Sequence, residues 1–191
     1  MGALLGFAPF IGFALIEKLL GIVPGLAAGA LISIALLVFD RIKGQRDVNI
    51  LEAGSAVMFT ALAVFAVEHG GNAWSLWRVR LWVDSGLLLI VLASIVAGRP
   101  FTLHHARQRV SAEVAASPRF LRTNIILAGA WALAFLVLAT VDLLMVMRPE
   151  TPVRLAVWLT LAALAAAAWF TKSYPTRVRS RQAAAAGGAA P

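Results

Sequence analysis

Cysteine is absent from all 191 residues. Disulfides, zinc–thiolate sites, iron–sulfur clusters and thiol nucleophiles are therefore excluded. Charge is scarce as well. Asp, Glu, Lys and Arg make up 14% of the chain, where a soluble domain carries about 25%. Acidic residues are the scarcer kind, nine against 17 Lys and Arg. The recurrent catalytic patterns are missing too: there is no Gly-x-Ser-x-Gly, no phosphate-binding loop and no His-Glu-x-x-His. Ser85 follows Asp84, but no histidine is placed to activate it. His104 and His105 are adjacent, so on a helix they diverge by about 100° and form no two-ligand face. The chain is therefore read as no enzyme, with neither a metal nor a cofactor, although a lipid-modifying reaction at His104 or His105 stays as a minor alternative.

What the chain has in excess is apolar surface. It is 61% hydrophobic, with a mean hydropathy of +0.85. A soluble domain of this size leaves too much surface exposed to tolerate that. Lipid is the expected solvent for the remainder. Five runs are long enough, or nearly so, to cross about 30 Å of hydrocarbon at about 1.5 Å per residue: Ile22–Phe39, Ile50–Val67, Leu81–Ala97, Ile125–Met147 and Val153–Phe170. They are too long and too uniformly apolar for barrel strands. Pro24 suits the first turn of its helix. A sixth, weaker segment, Gly2–Leu19, contains Pro9, which is expected to kink it, and either crosses or re-enters. It has no basic n-region and is read as mature protein rather than a signal peptide. The fold class is thus an all-α polytopic helix bundle, one domain over residues 1–172. Residues 173–191 are expected to be a basic, Ala/Gly-rich disordered tail. No internal repeat supports an inverted-repeat transporter.

The net charge of +8 does not point to nucleic acid, because the basic residues lie between the apolar runs. Twelve of the 17, in the stretches 41–46, 99–122 and 172–181, fall on one set of alternate connections. Lys18, Arg78, Arg80, Arg148 and Arg154 fall on the other. The positive-inside rule then puts the C-terminus and the long Gly98–Asn124 connection in the cytoplasm.

Two groups of residues are candidates for a site. Ionisable residues inside spans are functional hypotheses by default. Glu17, Glu68, Arg80, Asp84 and Asp142 all fall towards the outer face, with Arg78, Arg148 and Arg154 nearby. Arg80 and Asp84 are spaced i, i+4 and can pair. The group is either an inter-helix polar pin or a substrate site, and Glu17, Arg78, Arg80, Asp84 and Asp142 are its candidates. The second group follows the third long run. Gly98 and Pro100 end that span, Thr102 is placed to cap a new helix, and Val110 and Val114 continue an apolar face. This reads as a cytoplasmic interfacial helix, either a plain connector or a docking surface for headgroups or a partner protein. Its candidates are Arg99, Pro100, Phe101, His104, His105, Arg107 and Arg122. Gly21, Gly25 and Gly29 share one helix face, as do Gly2 and Gly6, either for packing within the chain or as a homodimer seam. Trp74, Trp77 and Trp82 read as an interfacial aromatic belt.

The order of these features is similar to that in the intracellular septation protein A family of bacterial inner-membrane proteins. The resemblance is carried by Phe7-Ala-Pro-Phe10, Glu17-Lys18, Trp77-Arg78-Val79-Arg80, Gly98-Arg99-Pro100-Phe101, Asn124 and Trp131, and it covers about Leu4 to Lys172. It is architectural, and Thr102–Arg122 is longer and richer in arginine than that family leads one to expect. It implies an inner-membrane protein of envelope maintenance or septation, acting as a scaffold among other membrane proteins of the envelope or division machinery. A small transporter or channel with its polar site near the outer face is the alternative.

Overall fold

The computed structural model of the chain describes residues 6–42, 50–107 and 110–187, leaving aside the side chains of Asn72, His105 and 179–187. Gly2, Lys43, Arg46 and Arg109, together with residues 188–191 of the expected tail, lie outside the described residues. The described chain is helical: α1 (Ala8–Leu20), α2 (Ile22–Ile42), α3 (Ile50–Glu68), a short 3-10 turn (Gly71–Ala73), α4 (Leu76–Val96), α5 (Phe101–Arg107), α6 (Ala112–Ala115), α7 (Pro118–Met147) and α8 (Val153–Gly187). Five of these, α2, α3, α4, α7 and α8, are long and apolar enough to cross a membrane. The protein is therefore a multi-pass membrane protein.

The spans pack in an antiparallel series. Gly29 of α2 abuts Phe59 of α3, and Gly54 and Gly86 bring α3 against α4 at Ile90 and Met58. Helix α4 lies along α7 and α7 along α8. Two larger apolar clusters and a smaller third one fill the interior. One of the larger pair joins Phe13, Leu26, Phe59 and Val83. The other joins Leu51, Val91, Phe101, Ala128 and Phe135. Most large apolar side chains outside these clusters are exposed, as helices facing lipid require: Leu31, Val57, Leu89, Leu133 and Trp158 are all more than 60% exposed.

The weak N-terminal segment forms α1, a helix of 13 residues, about 20 Å long at 1.5 Å per residue. Pro9 does not kink it. The helix starts at Ala8 with Pro9 in its first turn, where the missing N–H costs no hydrogen bond. Gly21, with φ +97°, reverses the chain in a conformation that side-chain-bearing residues avoid. Helix α1 then runs back along α2, so closely that a Cβ on Gly25 would sit 2.7 Å from Cβ of Glu17. The glycine stripe is thus used inside the chain, Gly25 for α1 and Gly29 for α3.

At the other end of α4, Gly98 (φ +66°) closes the helix with Arg99 N–H donating to Ser94 O at 3.0 Å, the left-handed glycine stop the sequence indicates. The single interfacial helix expected after it is replaced by two short ones, α5 and α6. Thr102 is not a cap. It lies within α5, and its hydroxyl donates to the backbone oxygen of Asn124 in α7 at 3.0 Å. The caps are Ser111 for α6 and Ser117 for α7, each accepting from a backbone N–H. Val114 is 49% exposed, so it does not extend the buried face.

The expected disordered tail is corrected in part. Helix α8 continues through Gly187, beyond its apolar stretch, over a segment rich in the good helix formers Lys, Arg and Gln that ends in the alanines 183–186. Pro175 lies inside it.

Candidate functional site

Trp77, Arg78, Val79 and Arg80 belong to α4, which begins at Leu76, so the helix starts five residues before the apolar run suggests. Arginine permits this, since its stem lies along apolar surface while its head reaches polar groups. The consequence is depth. Asp84 is the ninth residue of α4, in the middle third of the span and not at its edge. Asp84 thus lies deeper than its expected place towards the outer face.

Arg80 does not make its contact with Asp84. Its Nε lies 3.7 Å from Oδ1 of Asp142 on α7, and its guanidinium stands 5.3 Å from the ring centroid of Trp77. The carboxyl groups of Asp84 and Asp142 lie close enough to act on each other. Asp142 is 1% exposed. An ion cluster of three side chains therefore joins α4 to α7, walled by Val141, Met145 and Ala156 with Trp77 packed on them. The other two candidates do not join it. Glu17 is held at the α1–α2 contact, and Arg78 is exposed to the outside of the bundle. A shallow groove along α3, lined by Ala56, Thr60, Ala61 and Glu68, involves none of the three clustered residues.

At the opposite end the candidates separate by burial. Arg99, Arg107 and Arg122 are exposed, and Arg119 with them. Pro100 and Phe101 are buried, because Phe101 packs edge-on against Phe7 at 6.1 Å. His104 is turned inward, 4.0 Å from the carboxylate of Asp40 at the end of α2. Pro100, Phe101 and His104 thus fasten α5 to the bundle instead of forming a docking surface. Ser94 completes the fastening: buried, it donates to Val91 O at 2.7 Å and accepts from Phe101 N–H at 3.3 Å. The side chain of His105 lies outside those described.

The aromatic residues near Trp74 are packed ring on ring. Phe65, Trp74 and Trp82 lie 5.5 to 5.8 Å apart by centroid, and the Trp74 indole donates to His69 O at 3.3 Å.

The residue the sequence reading missed is Glu52. It lies in the first turn of α3 and is 4% exposed. The signal was available: an acidic residue three positions into an apolar run is rarely left facing lipid. Among the described residues, no group of three or more His, Cys, Asp and Glu could hold a metal ion. No protein family, curated protein or solved structure matches the chain.

Proposed function

We propose that this is a bacterial inner-membrane protein of envelope maintenance or septation that works by contact, as a scaffold for other membrane proteins. Its Arg99 end and its C-terminus face the cytoplasm. The observation that carries this reading is the separation of charge by burial. Arg99, Arg107, Arg119 and Arg122 are all exposed at one end, and no carboxylate lies within ion-pair distance of them among the described residues. Inside the bundle, Arg80 pairs with Asp142 at 3.7 Å. A surface of unpaired arginines attracts anionic headgroups and acidic partner segments. The architectural resemblance to the septation family, with its Gly98-Arg99-Pro100-Phe101 junction, supports the same reading.

The test replaces these four arginines together by glutamine in the full chain. In cells depleted of the wild-type protein, the variant is expected to insert at the normal level yet leave cell length and envelope integrity uncorrected. Full rescue by the variant overturns the reading. A transporter is the second reading, favoured by the depth of Asp84. A substrate-dependent flux in proteoliposomes that vanishes in Asp84→Asn decides for it.

A further inference from the structure

The charge around Asp84 and Asp142 does not balance. Two carboxyl groups meet between α4 and α7, and one guanidinium answers them through a single contact, Arg80 Nε to Asp142 Oδ1 at 3.7 Å. The neighbours of Asp142 in sequence, Val141 and Met145, belong to an apolar cluster with Ala156 on α8. The other cations at this end of the helices, Arg78, Arg148 and Arg154, are exposed and make no ion pair with either carboxyl. A second, separate observation concerns the other oxygen. Asp142 Oδ2 is buried and receives no hydrogen bond from any donor among the described residues. An acceptor in that position carries the full desolvation cost unless a positive charge or a donor is supplied to it.

We propose that Asp84 and Asp142 form a binding site for one small monovalent cation, a proton or an alkali-metal ion, held between the two carboxyl groups beside Arg80. The size follows from the contact. Carboxyl groups close enough to act on each other leave no room for an organic cation. The valence follows from the ligands. Calcium takes six to eight oxygens and magnesium a near-octahedral six, while this pair offers four carboxylate oxygens, one of them committed to Arg80. One monovalent charge makes the cluster neutral: two carboxylates against Arg80 and the bound cation. Entry is from the side of Arg80, whose side chain is 30% exposed. The site is independent of the basic end and stands whether or not the scaffold reading does.

The full-length protein in lipid nanodiscs provides the test. Wild type and Asp84→Asn are melted in mildly acidic and mildly alkaline buffer, in choline chloride, sodium chloride and potassium chloride. In wild type, alkaline choline chloride is expected to lower the melting temperature by several degrees. Recovery on adding sodium or potassium identifies an alkali-ion site, and no recovery identifies a proton site. Asp84→Asn donates an amide hydrogen to Asp142 and removes one charge, so its melting temperature should not depend on the salt and should vary less with pH. Identical profiles for the two proteins in all three salts overturn the proposal. Should Asp84→Asn fail to fold, infrared spectra of wild type decide instead. A carboxylic-acid C=O band lost in alkaline buffer or on adding sodium is expected, and its absence under every condition together with no salt effect overturns the site.

Discussion

Phe59 has no exposed surface, and Gly29 lies directly under its ring: a Cβ there would meet Phe59 Cδ1 at 2.7 Å and Cε1 at 2.8 Å. An aromatic ring held by Phe10 and Phe13, at 5.1 and 5.8 Å, cannot turn aside as a flexible chain end can. Gly29→Leu is therefore expected to cost about 1 to 3 kcal/mol, the range for overpacking a filled core. Gly129 is the control, because nothing lies within 4 Å of a Cβ built there. Gly129→Ala should melt at or slightly above the wild-type temperature, since alanine is the better helix former. Equal melting temperatures for Gly29→Leu and wild type in detergent would show that α2 and α3 do not meet there. At this scale the sequence was informative about small residues and less so about charges. The spacing of Gly25 and Gly29 announced a close approach. Pairing Arg80 with Asp84 by i, i+4 spacing missed its true partner, because Asp142 lies on another span and only packing brings the two together.

Element by element, the five spans were legible because lipid imposes one long apolar run per crossing. The ends were harder. Helix α4 starts early because its arginines can snorkel, and α8 ends late because Lys, Arg and Gln are good helix formers that carry it past its apolar surface. The connection after α4 was misread for a different reason. Thr102 has the chemistry of a cap, but the nearby Asn124 carbonyl takes its hydroxyl, and serines further along cap the helices. The lack of cysteine makes the directions of the elements directly testable. Single cysteines replacing Lys18, Arg78 or Arg148 should label from one side of oriented membrane vesicles. Those replacing Arg41, Arg99 or Arg119 should label from the other. Lys18→Cys labelling on the Arg99 side would reverse α1 and undo the hairpin at Gly21.

Across the whole molecule, cohesion is uneven. Helix α8 packs against α7, and only 11% of its most apolar window is buried, against 44% for α7. Among the described residues, its side-chain hydrogen bond across to α7 is Trp131 Nε1–H to Thr171 Oγ1 at 3.0 Å. Hydrogen bonds between helices in lipid average about 0.6 kcal/mol, so Thr171→Val should loosen α8 by about that amount while leaving the α1–α4 contacts intact. A fluorescence pair spanning α7 and α8 would report the separation before global unfolding. Simultaneous loss of all helix contacts in that variant would show instead that α8 is integral to the rest.

The contacts of Phe7 bear on the order in which the bundle is assembled. Its ring stacks on Trp131 at 4.8 Å and meets Phe135 at 6.0 Å and Phe101 at 6.1 Å. All three are translated long after it, whereas Phe10 and Phe13 reach Phe59 within the next two helices. The α1–α2 hairpin can therefore dock on α3 while the ribosome is still at work, with Phe7 left waiting on lipid. Only when α7 is released from the insertion machinery does that ring find its seat, and the two halves of the chain become one fold. Proteins stalled in synthesis before Trp131 should accordingly hold α1 by a single side, and be exposed at that point to quality-control proteases that the finished bundle resists.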